Sequence, residues 1–230
     1  MIDSVTSSTS VFLRSDFTKV IQQLNGDESA IQVWPNSLIQ AYSEPQRHYH
    51  TTTHISSMLQ LFQIHQHLIT NKEVVQLAIY FHDWVYDPKA HDNELQSVTI
   101  FRTFAAQVGI PEDFSEKVCH YIEATIKHSL IDQDEGDEDL KLFLDFDLEV
   151  LGRAREEYEI YSKQIRQEYR HFSEKDYVKG RVGVLEKFLG RERLYFSEPL
   201  GAALELRARE NLGAEIEGLK GGIVAESCRS

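Results

Sequence analysis

Apolar positions along the chain recur with the period of an α-helix. Ile31, Trp34, Leu38 and Ala41 follow one another in steps of three and four, which predicts a helix over 28–43 with Pro35 tolerated in a first turn. Pro45 interrupts the pattern. A second helix is expected from Arg47 to about Ile69, carrying His50, His54, Met58 and Leu61. Residues 73–82 read EVVQLAIYFH, apolar nearly all round, the mark of a buried central helix. Asp87-Pro88 ends that unit. HDNE at 91–94 opens a helix through Phe104, and Pro111 sits just inside another that runs to His128. LKLFLDFDLEVLG at 140–152 returns to the apolar pattern. Beyond Arg153 the share of Arg, Glu, Lys and Tyr rises, and amphipathic helices are expected at 153–170, 174–190 and 200–219. The first 15 residues are expected to fray and the last ten to be loose. The predicted class is all-α, with a core over 1–152 and a helical annex over 153–230 that packs on it.

Composition narrows the picture without redirecting it. A chain of 230 residues, 41% hydrophobic and 27% charged, can bury a core without disulfides or a structural metal. Cys119 and Cys228 are too few and too far apart for a disulfide scaffold. The stretch from Met1 to Phe17 has no basic start followed by an apolar run, and no apolar run is long enough to span a membrane. A cytoplasmic location is the default expectation. The formal charge of -13 disfavours duplex nucleic acid and anionic membranes. A small anion stays allowed, because a local metal ion outweighs the global field. Residues 132–139, DQDEGDED, read as a solvated loop with no metal role, since the spacing of a calcium loop is missing.

The chemistry gathers at histidines and aspartates inside apolar surroundings. His50 and His54 stand four apart, one helical turn. That suits two ligands of one ion, or one ligand beside one proton donor. His82-Asp83 follows a run so apolar that its end must be buried, and a buried carboxylate is costly unless paired or bound to a cation. A helix C-terminus accounts for the His but disfavours the Asp. Asp145 and Asp147 pose the same question inside LFLDFDLEVL. A helix turns them about 200° apart, so one is a ligand and the other a supporting or capping group. The residues thus point to a divalent metal held by His54, His82, Asp83 and a carboxylate near Asp147.

The ordered set His…His-Asp…Asp resembles the ligand pattern of the HD superfamily of metal-dependent phosphohydrolases. RHYHTTTH at 47–54 is similar to the YHxxxH signature of class I cyclic-nucleotide phosphodiesterases. HDWVYDP at 82–88 resembles the HDxxED segment of stringent-response alarmone hydrolases. FDLEVLG resembles the final segment of the superfamily, which selects Asp147 over Asp145. Over most of its length the chain looks like small bacterial proteins described as predicted HD-superfamily phosphohydrolases. That likeness includes YDPxxxDNE near 86, IRQEY at 165–169, GR at 180–181 and ARENL at 208–212. Tyr86 departs from both enzyme patterns. It stands where the alarmone hydrolases have Glu and the phosphodiesterases a second His, so one firmly bound ion is expected rather than two.

The resemblance implies an HD-domain helical bundle and a metal-dependent phosphomonoesterase or phosphodiesterase, acting on a nucleotide or related small phosphorylated molecule. The ion would be Mn²⁺, Fe²⁺, Co²⁺, Mg²⁺, Ni²⁺ or Zn²⁺. A metal-activated hydroxide would attack phosphorus in line, and His50 would protonate the leaving oxygen. Asp87 or Glu94 would orient or deprotonate the water. Arg47 and Asn93 would hold non-bridging oxygens. Lys127 and His128 are further substrate-binding candidates, because 120, 124 and 128 share a helix face. Arg166 and Arg181 are annex residues with the reach to join them. The alternative is a nucleotide-sensing module that keeps the metal without turnover. A homodimer is compatible with either.

Overall fold

A computed structural model describes the backbone of residues 2–227 and the side chains of 8–131 and 133–222. Its described residues form ten α-helices and no strand. They are α1 (Ile2–Gln23), α2 (Glu28–Ala41), α3 (Thr52–His65), α4 (Lys72–Phe81), α5 (Asn93–Val108), α6 (Glu112–Ala124), α7 (Glu138–Leu148), α8 (Arg155–Glu168), α9 (Glu174–Leu189) and α10 (Glu198–Ser227). Single 3-10 turns occupy Asp132–Asp134 and Glu149–Gly152. The expected all-α class is what the chain adopts. No described helix is long and apolar enough to cross a membrane. Cys119 is buried and free, whereas Cys228 lies outside the described residues.

The chain divides into two compact units, 1–146 and 147–230, six residues before the expected boundary. The cut falls in the last turn of α7. The turn Glu149–Gly152 goes with the second unit because it lies against α10. A Cβ on Gly152 would stand 2.6 Å from Leu204 Cβ, so this approach requires glycine. Tyr195 donates to Leu148 O at 3.0 Å, and Asn211 Nδ2 donates to Leu151 O and Arg153 O at 2.9 and 3.0 Å.

In the first unit, α4 packs on α3, α5 and α6. Val74, Val75 and Leu77 through Phe81 are all buried, as its all-round apolar sequence requires. The Phe81 ring contacts Phe17, Trp34, Trp84, Phe101 and Phe104 at centroid distances of 4.7–6.1 Å. This aromatic cluster also explains why the N-terminal segment is helical rather than frayed. Leu13, Phe17, Val20 and Ile21 are buried at helical spacing, and Phe17 enters the cluster beside Tyr80 at 4.5 Å. At the other end, the helical backbone of α10 continues to Ser227, past the expected stop at 219. The remainder of the last ten residues lies outside the described ones.

Three departures from expectation have a local reason, while α3 also ends earlier, at His65, and α5 later, at Val108. Pro35 lies inside α2, not in its first turn. Burial of Trp34, Pro35 and Leu38 outweighs the one backbone bond that proline removes. The third helix starts at Thr52 rather than Arg47, because Thr51 is its N-cap and accepts from Thr53 N. Finally, α6 ends at Ala124, not His128. Thr125 turns its hydroxyl to Ile122 O at 2.7 Å, and His128 adopts a left-handed φ of 44°, so 120, 124 and 128 share no helix face.

The acidic run is no solvated loop. Asp134 accepts from Ile131 N at 3.0 Å and pairs with His120 at 2.8 Å. Burial works against the charge of Asp137, but bonds from Tyr121, the Leu140 N–H and Lys117 hold its carboxyl below the usual range. Asp139, 3% exposed, accepts from Thr70 N, Asn71 N and Asn71 Nδ2 at 2.7–2.9 Å. It therefore fixes the start of α7 to the start of α4. Replacing the buried Asp139 by Ala removes the charged acceptor of three donors at the start of α4. The expected loss is about 2 kcal/mol of unfolding free energy, read from the urea midpoint. An unchanged midpoint would contradict this role.

Candidate metal centre

Two turns of chain and the end of one helix build the centre. The first turn, 47–51, leads into α3, whose first helical turn carries His54 with 4% exposure. His50 therefore precedes the helix and does not share a helical face with His54. Their rings still meet, at a centroid distance of 5.8 Å. Tyr49 packs against both, at 5.0 Å from His50 and 4.9 Å from His54.

The second turn is the exit of α4. His82 caps the helix with 1% exposure. Phe81 and Trp84 stack at 4.7 Å and 11°, anchored in the aromatic cluster, so the two residues between them are thrown to the other side. Val85 N donates to the buried Ser97 hydroxyl at 3.0 Å, which fixes the chain beyond. His82 Nδ1 lies 3.0 Å from Ile79 O. A carbonyl only accepts, so Nδ1 carries the proton and Nε2 of the neutral ring presents its lone pair.

Four ligand-type atoms gather at that lone pair. His54 Nε2 stands 3.3 Å from His82 Nε2. Asp83 Oδ2 lies 3.2 Å from His82 Nε2 and 3.9 Å from His54 Nε2. Asp147, His54 and His82 each offer one ligand atom, all within 4.8 Å of one another, and Asp83 stands beside the two histidines but outside that group of three. The last turn of α7 carries Asp147. The same helix is held in place by Asp139 and by Phe143, whose ring meets His82 at 6.0 Å and Tyr121 at 5.9 Å. Asp145 is fully buried but stands outside this group, as two residues along a helix should.

The group of His54, His82 and Asp147 could hold a metal ion. Two imidazole nitrogens and a carboxylate oxygen facing one another in a nearly dry place need a proton or a cation among them. Ligand atoms about 2.1 Å from one ion stand ~3.0 Å apart in an octahedron and ~3.4 Å in a tetrahedron. The His54–His82 and His82–Asp83 distances of 3.3 and 3.2 Å match that range, and the His54–Asp83 distance of 3.9 Å is wider. Mixed imidazole and carboxylate donors suit several divalent ions and select none.

The remaining predicted residues take other places. Arg47 was expected at the phosphate, but its donors go to protein. Nε binds Glu44 at 3.1 Å, Nη1 binds His50 O at 3.1 Å and Asp83 O at 2.8 Å, and Nη2 binds Trp84 O at 2.9 Å. The guanidinium lies over the Tyr42 and Tyr86 rings at 4.8 and 5.3 Å. It joins the two turns of the centre instead of reaching outward. Asn93 is likewise committed: its amide accepts from Asp87 N and donates to Asp87 O, both at 3.0 Å. Asp87 is exposed and accepts from Lys89 N at 2.9 Å. Glu94 is half-buried in the first turn of α5. Lys127 and His128 lie beyond the end of α6, Lys127 exposed. None of these joins the metal group. Arg181 pairs with Glu215 at 2.9 Å and Arg166 with Glu174 at 3.0 Å, both inside the second unit.

Sequence reasoning missed Tyr49 as a wall of the centre and Tyr86 as more than a departure. Tyr86 is buried and lies against the His50 ring at 4.3 Å and 32°. The adjacency of Tyr49 to His50 was visible, but ring packing needs the turn that the structure supplies. In comparisons with known proteins, no family model, no curated protein and no solved structure matches the chain.

Arg47→Lys keeps the charge but cannot span three carbonyls in a fixed fork. The expected outcome is a loss of about 2–3 kcal/mol in unfolding free energy and Co²⁺ binding weakened about tenfold. Denaturant titration and the visible Co²⁺ spectrum read the two effects. Retention of both values would refute the tie between the turns.

Proposed function

We propose that the chain is a metal-dependent phosphohydrolase that cleaves a phosphate ester of a nucleotide or related small molecule. The observation that supports this reading is the convergence of ligand atoms from the buried His54 and His82 and the half-buried Asp147, with Asp83 beside the histidines, in an otherwise acidic chain. The likeness of the same residues to the HD phosphohydrolase pattern supplies the reaction class.

His54, His82, Asp83 and Asp147 would hold the ion. A divalent ion bound there supplies a Lewis acid for a phosphoryl oxygen and a water acidified towards neutrality. The protein does the rest. His50 is half-buried, and its ring is held by Tyr86 and Tyr49, beside rather than within the ligand set. Such a ring can carry a proton to the leaving oxygen. Asp87 or Glu94 accepts the proton of the attacking water. Asn93 contributes by fixing the loop that carries Asp87. Arg47 contributes by holding the His50 turn against the His82-Asp83 turn.

His82→Ala combined with Asp83→Ala is expected to remove bound metal, measured by elemental analysis, and to abolish phosphatase activity on a nucleotide panel with Mn²⁺. Unchanged metal content sinks the ligand assignment. Metal retained by the native chain without product from any nucleotide would favour a sensing module instead. His50→Ala is expected to keep the metal and slow turnover by about 10²–10⁴-fold, most with poor leaving groups. Equal losses on p-nitrophenyl and alkyl phosphates would count against the acid role.

A further inference from the structure

The second unit contains a cavity that the proposed chemistry does not use. Its volume is about 340 Å³, and Ile165, Tyr169, Phe172, Tyr177, Gly180 and Arg181 line it. Two of the segments that carry the sequence resemblance, IRQEY and GR, supply four of these residues. Neither segment has a part in the metal centre.

Three features point to an occupant. First, Tyr177 is 5% exposed, and its buried hydroxyl has no hydrogen-bond partner among the described residues. A buried hydroxyl left unmatched is costly. Burial pushes its pKa up to about 12, so it is a neutral group able to donate. Second, Gly180 sits inside α9, where glycine weakens a helix relative to any ordinary residue. Packing does not demand it, because a Cβ there would meet nothing within 4 Å. Its effect is to leave the cavity wall bare. Third, Phe172 at the rim is 45% exposed, an aromatic face without cover.

The wall chemistry restricts the occupant. Three aromatic rings and two aliphatic side chains suit a flat, apolar body. The cations nearby are already neutralised: Arg181 by Glu215, and Arg166, lying over the Tyr177 ring at 4.5 Å, by Glu174. Asp176 adds a carboxylate to the lining. A phosphate or carboxylate would find no free countercharge, so an anion is disfavoured. From these observations we infer that the cavity binds an uncharged planar aromatic molecule with one hydrogen-bonding group, of about the size of two fused rings.

The probe is 2-naphthol, titrated against the full chain by calorimetry and ligand-observed NMR. Binding is expected, with 2-naphthalenesulfonate, the same ring bearing a charge, weaker by about tenfold or more. Gly180→Leu fills the cavity and should weaken 2-naphthol at least about tenfold, with no fall in melting temperature. Gly183→Leu, on the same helix but outside the lining, should leave affinity within about twofold. Failure of 2-naphthol to bind, equal binding of the sulfonate, or Gly180→Leu binding as tightly as the native chain each overturns the proposal. Metal content and phosphatase activity are not read in this test, so its failure leaves the reading of the metal centre untouched.

Discussion

Two imidazole nitrogens facing each other across 3.3 Å set the terms for the first unit. Two such nitrogens attract only when a proton or a cation lies between them, and the surrounding structure brings them together. Three devices do so. The aromatic cluster around Phe81 fixes the exit of α4 and, through the Phe81–Trp84 stack, the direction of His82 and Asp83. Thr51 starts α3 so that His54 falls in its first turn. Asp139 fastens α7 to α4 and so carries Asp147 to the same place. Each is an ordinary folding interaction, and the convergence is their joint consequence.

Arg47 illustrates how a charged residue can serve a site without touching a ligand. Its guanidinium is buried between two tyrosines and spends its donors on backbone carbonyls from both turns. Backbone carbonyls in such turns are otherwise free to rotate or hydrate. The fork fixes them in number and direction. The acidic run at 132–139 follows the same logic with opposite charge. A stretch that reads as solvated turns Asp134, Asp137 and Asp139 inward to meet His120, the Tyr121 hydroxyl and the backbone at the start of α4. In both cases hydrogen-bond demand from the backbone, not charge alone, decided where the side chain went.

The second unit is organised differently. Its buried polar pair, Arg181 with Glu215, is joined by the Tyr158 hydroxyl and stacks Arg181 over Tyr161 at 5.4 Å. Such a network specifies one arrangement of α8, α9 and α10. It leaves a cavity bordered by a helix glycine and an unmatched hydroxyl. Arg209 and Asn211 of the ARENL segment bind carbonyls at the ends of neighbouring elements, which is why that segment reads as distinctive while doing structural work.

Periodicity alone was enough to determine the all-α class, the buried α4 and most helix positions, because a 3.6-residue apolar stripe has one economical solution in water. The same pattern singled out His82, Asp83 and the pair Asp145 and Asp147, since a carboxylate or imidazole inside an apolar run needs a partner wherever the chain folds; the choice of Asp147 over Asp145 came from the resemblance of FDLEVLG. Only the tertiary structure decided what those partners were. The start of α3 at Thr52, the end of α6 at Ala124 and the tie of Asn93 to Asp87 rest on side-chain bonds to nearby backbone, whereas the helical N-terminal segment and the inward turn of Arg47 depend on contacts between residues distant in the chain. Hydrogen bonds and ring packing at those distances leave no period in the sequence. The pattern could therefore name the residues of the centre but not assign which of them touch a ligand and which hold the others in place.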